Sequence, residues 1–152
     1  MISNKTDLPL PSQLQHHSAT TAGKAIYEGA VPVRVRSPER EDWFTHLTFK
    51  IQMTQSGGGG YGGTHHSLRI ELTDRNDPYF LYLMECGENE FHTIKNEQNI
   101  LVDFQAFPSK LIEMLEYAVQ REGEEQCRFQ CLLETTFSNE GTFSIVEPTQ
   151  FR

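Results

Sequence analysis

Apolar and polar residues alternate along three stretches of the chain. Val31, Val33 and Val35 alternate with Arg34 and Arg36, and Ser37-Pro38 supplies a stop. Leu47, Phe49, Ile51 and Met53 share one face of a longer alternation, with His46, Thr48, Lys50 and Gln52 on the other. Leu68, Ile70 and Leu72 alternate with Arg69, Glu71 and Thr73. A period of two places one face of each stretch on a core and the other toward water, so three half-buried strands are expected. The turn formers Asp74-Arg75-Asn76-Asp77-Pro78 follow. Residues 79–85 are apolar on both faces apart from tyrosine hydroxyls, which predicts a central strand packed on two sides.

The period then changes. Phe91 and Ile94 lie three apart in a short expected helix over residues 88–97. Pro108 suits the first turn of a second helix running to about residue 122. Its apolar stripe is Leu111, Ile112, Leu115, Ala118 and Val119, and Gly123 is a plausible stop. Residues 128–136 and 142–146 read as strands joined through Ser138-Asn139-Glu140-Gly141. Four strands, two helices and two strands give an α+β class: an antiparallel sheet or small barrel, with a helical pair covering one end. Residues 1–23 are rich in Ser, Thr, Gln, His and Pro without periodicity, and read as a disordered tail or leader. Residues 24–152 form the expected folded domain.

Composition narrows the function classes. Thirteen Lys and Arg face 21 Asp and Glu, a net charge of −8 with no basic stripe, so nucleic-acid binding is disfavoured. No run of 18 apolar residues occurs, so no membrane-spanning helix is expected. Residues 1–21 lack the apolar segment of a signal peptide, and a cytoplasmic or cytoskeletal location follows by default. Cys86, Cys127 and Cys131 make an odd count. On a strand, residues 127 and 131 stand about 13 Å apart, too far for a disulfide, so they read as small buried hydrophobes.

Candidate chemistry is sparse. Gly57-Gly58-Gly59-Gly60-Tyr61-Gly62-Gly63 lacks the Gly-Lys-Ser/Thr and the following helix of a phosphate loop, and reads as a hairpin connection. The pairs His16-His17 and His65-His66 are adjacent, and neighbours on a strand point to opposite faces. No His-Glu-x-x-His or Cys-x-x-Cys spacing supplies a metal site. Gly-x-Ser-x-Gly is absent. Asp74, Asp77 and Asp103 could act as acid or base, but Asp74 and Asp77 bracket a turn whose backbone N–H groups account for them. The expectation is a chain that is not an enzyme and needs no cofactor, metal or small-molecule substrate.

Contiguous residues carry a more specific signal. Leu68-Arg69-Ile70-Glu71-Leu72-Thr73-Asp74 runs into Asp77-Pro78-Tyr79-Phe80-Leu81-Tyr82. Ile100-Leu101-Val102-Asp103-Phe104-Gln105-Ala106-Phe107-Pro108 follows the first helix. Val31-Pro32-Val33-Arg34-Val35 stands upstream, and Arg128-Phe129 and Val146-Glu147-Pro148-Thr149-Gln150-Phe151 downstream. In this order the string resembles the N-terminal head domain of the spindle assembly abnormal protein six family, over roughly residues 27–152.

The resemblance implies a β-barrel-like sheet with a helix-turn-helix insert, like the head domains of end-joining repair scaffolds. It also implies head-to-head homodimerisation that builds the hub of the ninefold cartwheel of centrioles and basal bodies. Each head would insert a phenylalanine into an apolar pocket of its twin, and Phe151 matches that position. The segment from Phe91 to Leu115 carries more apolar residues than a two-helix lid needs, so Ile100, Leu101, Phe104 and Phe107 are expected to border the groove. The implied partners are a second copy and other centriole or basal-body proteins. The alternatives are a coiled-coil-less paralogue in the flagellar or apical cytoskeleton, and an end-joining scaffold head. Two departures stand out: the glycine-rich insert is long, and the sequence stops at Arg152, where the family continues into a last strand and a coiled coil.

Overall fold

The structure is a computed structural model that describes residues 23–57, 63–124, 130–135 and 141–146. Strands β1 (Ala25–Ser37), β2 (Arg40–Ser56), β3 (His65–Thr73) and β4 (Leu81–Gly87) come first. Helices α1 (Glu88–Gln98) and α2 (Phe107–Gln120) follow, then β5 (Gln130–Thr135) and β6 (Gly141–Val146). All six strands join one sheet in the order β4-β3-β2-β1-β5-β6. The α+β class and the helical insert between β4 and β5 stand as expected.

The alternating residues define the covered face. Val31, Val33, Val35, Leu47, Phe49, Ile51, Leu68, Ile70 and Leu72 are all buried. Register explains why they coincide: Val31 lies across from Leu47, Phe49 from Leu72, and Ile51 from Ile70. Leu111, Leu115 and Ala118 of α2 and Phe91 of α1 close over that face and complete the core. Cys86 and Cys131 are buried within it and form no disulfide; Cys127 lies outside the described residues. Burial, then nearby Glu90, pushes the Cys86 thiol up, which keeps it protonated and unreactive near neutral pH. The glycine-rich segment joins β2 to β3 as a hairpin connection, with Ser56 across from His65; residues 58–62 of it lie outside the described residues.

Two features differ from the sequence expectation. β4 is an edge strand rather than a central one. Its two-sided apolar character arises because Cys86 enters the core while Leu81 and Leu83, on the opposite face, are 58 % and 51 % exposed. The second difference is the pairing of β1 with β5, which is parallel, whereas the other four pairings are antiparallel. The α1–α2 insert is what allows it, since a parallel return needs a long crossover.

An ion-pair network pins that parallel register on the outer face. Arg34 Nε donates to Asp42 Oδ2 at 2.8 Å, and Arg36 Nη2 approaches the same oxygen at 3.2 Å. Arg36 Nη1 donates to Glu134 Oε1 at 3.0 Å across the β1–β5 ladder, where the two residues are in register. Hydrogen bonds from Arg36, then Arg34, hold the Asp42 carboxyl below its ordinary 3.8. A carboxyl depressed in the folded state contributes stability above its unfolded value and loses it as pH falls through the folded value. The unsubstituted chain should therefore have a higher urea midpoint than Asp42→Asn at pH 7. The two midpoints should converge as pH falls below the ordinary carboxylate range, the window set by that downward direction. A gap that persists unchanged into acid would remove Asp42 ionisation as the cause.

Candidate functional site

The residues expected to line a groove sit where α1 hands over to α2. Asn99 ends α1 in the left-handed region at φ 54°, and its conformation turns the chain out of the helix. Ile100 N–H donates to Lys95 O at 2.9 Å, which fixes the start of the connection. Lys95 Nζ donates to Asp103 Oδ1 at 2.7 Å, tying the connection to the last turn of α1. The Asp103 carboxyl is held below its ordinary value chiefly by that lysine. Asp103 O in turn accepts from Ala106 N and Phe107 N at 3.0 and 2.9 Å, forming the turn that starts α2. Asp103 thus has a structural explanation, as do the two aspartates before β4. Asp74 Oδ1 accepts from Asn76 N at 2.8 Å, and Asp77 Oδ1 from Tyr79 N at 3.0 Å, the local bonds expected of turn residues.

The four expected groove residues occupy different depths. Phe104 is in the core at 4 % exposure, its ring edge-to-face with Phe91 at 5.6 Å between centroids. Phe107 also packs on Phe91, at 5.0 Å, and is half-buried, as is Ile100. Leu101 is 95 % exposed. Exposure therefore grades from the buried Phe104 ring through the partly buried Ile100 and Phe107 to Leu101, which stands into solvent. The four lie in the α1–α2 connection and the first residue of α2, and Phe104 and Phe107 meet the Phe91 ring. Phe151 lies outside the described residues.

Periodicity missed a second apolar surface. Leu81 and Leu83 are exposed on the outer face of β4, Met84 is exposed on its other face, and Tyr79 is exposed just before the strand. The signal was present in the sequence, since residues 79–84 are apolar on both faces, but it was read as depth instead of as a surface. Among the described residues no group of three or more His, Cys, Asp or Glu side chains could hold a metal ion. A shallow cleft at the start of α1 is lined by Thr64, His65, His66 and Glu88 to Glu90. Glu90 there reaches back to the Gly87 N–H at 2.9 Å, so that carboxylate is already serving as a helix cap.

The architecture is a six-stranded sheet with a two-helix insert between β4 and β5. The model of the family described as Centriolar protein SAS N-terminal domain matches residues 25–152, and the chain belongs to that family. Spindle assembly abnormal protein 6 homolog of Gallus gallus is 31% identical over 117 residues, covering 77% of this chain. The chain spans only 18% of that relative's length. The N-terminal domain of Leishmania SAS-6 superposes with a TM-score of 0.67 at 25% identity, covering 85% of this chain and 89% of that one. An N-terminal coiled-coil dimer of C. elegans SAS-6 shares the fold, at 15% identity and TM-score 0.55 over 84% of this chain and 79% of that one. The family is thus the centriolar one rather than the end-joining scaffold alternative.

Proposed function

We propose that this chain is a structural head that dimerises with a second copy and so contributes to the hub of a centriolar or basal-body cartwheel. The contact is reciprocal: Phe151 of each copy enters a groove on the other, with Leu101 at its mouth, Ile100 and Phe107 as walls and Phe104 as the floor. The observation that carries this reading is the family match, which runs through Phe151. The exposed leucine over an aromatic cluster supports the groove, because a large apolar side chain in water is best explained by a partner when a docking aromatic exists to meet it. Domain 24–152 is then the oligomerising unit. The working location is the cytoskeleton at the centriole or basal body, and no step of the role calls for a cofactor or for catalysis.

Energetics make this contact weak. Burying one phenylalanine per side contributes about 1.5–3 kcal/mol each. Association costs on the order of 4–15 kcal/mol, so the two phenylalanines alone leave little surplus and the contact is weak. Sedimentation equilibrium across a concentration series should show a reversible monomer–dimer equilibrium for the unsubstituted chain extended by the family's following strand. A strictly monomeric chain at millimolar concentration would exclude the proposal.

A further inference from the structure

The edge of the sheet formed by β4 lacks the usual protection. Among the described residues β4 has one sheet neighbour, β3, so one side of its backbone presents unpaired N–H and C=O groups. Natural edges are blunted by lysine, proline, bulges or short length. β4 has seven residues, no Lys, Arg or Pro, and an uninterrupted register with β3. Leu81 and Leu83 stand exposed on its outer face.

The surroundings select the occupant. Glu85, the one charged residue of β4, lies across from Arg69 in the β3–β4 ladder. Glu71, across from Leu83, has Lys50 on its other side and Arg69 Nη2 at 3.6 Å. The edge is locally balanced in charge and offers no field to draw in a basic or acidic peptide. What fits is a strand with the same apolar alternation, and β4 itself has it. We infer that two copies of the chain pair β4 against β4, antiparallel about a twofold axis at Leu83. Antiparallel partners must share a face, so the registers available are centred on single residues. The one at Leu83 sets Leu83 directly against its counterpart and Leu81 on the diagonal, giving four contiguous leucines across the junction. Each Glu85 then faces a leucine. The two Glu85 side chains are about 13 Å apart along the strands, beyond the screening length of about 8 Å at physiological salt.

This surface is separate from the phenylalanine groove. Two different twofold contacts on one head generate an extended assembly where either alone stops at a dimer.

Disulfide trapping tests the pairing and its register in the full 152-residue chain. Under mild oxidation, Leu83→Cys should give about ten-fold more covalent dimer than Leu81→Cys, because only residue 83 meets its own counterpart within disulfide reach. The unsubstituted chain, with its native cysteines, sets the background. The same excess should persist when Phe151→Glu is added, whether or not the phenylalanine contact exists. Equal trapping at 81 and 83, or trapping at 83 that vanishes with Phe151→Glu, would overturn the inference.

Discussion

Phe151→Glu is expected to leave the phenylalanine-mediated dimer unformed at every concentration where the unsubstituted head associates. The margin is small, because the two buried rings together contribute only about 3–6 kcal/mol against the cost of association. A carboxylate at the same position must either enter an apolar groove, at a cost of several kcal/mol, or stay in water and forfeit the burial. Because the contact is twofold, the loss is incurred on both sides at once. Phe151→Leu keeps an apolar group of smaller size and should weaken association while preserving it. Sedimentation equilibrium of the three chains, each extended by the family's following strand, separates the outcomes. Equal association of the unsubstituted and glutamate forms would show that Phe151 is not the anchor. Performing the series with Leu83→Asp as a common background removes any contribution from the β4 edge.

The parts of the fold legible in the sequence are those where one face is covered and the other wet. Val31, Val33 and Val35, then Leu47, Phe49 and Ile51, then Leu68, Ile70 and Leu72 were readable because period two maps directly onto burial in a one-sided sheet. The α2 stripe was readable for the same reason at period 3.6, with Leu111, Leu115 and Ala118 buried. Val119, at the end of the stripe, is exposed, because it lies about 100° round the helix from the buried Ala118, on the flank of the stripe. The first half of β1 was not legible. Ile26 and Ala30 point away from the core, and Tyr27 and Gly29 are only partly covered, so residues 25–30 lack a strong alternation.

β4 failed for a different reason. Apolar residues on both faces of a strand mean burial on two sides only when something lies on both sides, and a single sequence does not say whether the second layer belongs to the same chain. The parallel β1–β5 pairing was equally invisible, since Arg36 and Glu134 are separated by 98 residues and only the fold brings them together. For the site, the motif located the α1–α2 connection, but depth within it depends on packing. Ile100, Leu101, Phe104 and Phe107 look alike in sequence and differ in exposure because one ring, Phe91, gathers the two phenylalanines and leaves Leu101 outside.

That difference in depth makes two of the four residues separable by experiment. Phe104→Ala removes a buried ring that is edge-to-face with Phe91, so it leaves a cavity beside Phe91 and removes one of that ring's two aromatic contacts. Such truncations cost about 3–5 kcal/mol, a large share of the stability of a domain this size. Its urea midpoint should fall sharply, and any loss of association would be confounded by loss of fold. Leu101→Asp touches no core contact, because the side chain is 95 % exposed. Its stability should stay within about 0.5 kcal/mol of the unsubstituted chain. If Leu101 stands at the mouth of the groove, the same substitution places a carboxylate where a phenylalanine must pass, and the Kd should rise at least about ten-fold. Stability and association would then move independently: one residue holds the loop together and the other meets the partner. Should Leu101→Asp dimerise like the unsubstituted chain while keeping its stability, the groove lies elsewhere on the head. The exposed leucine would then be an ordinary surface residue.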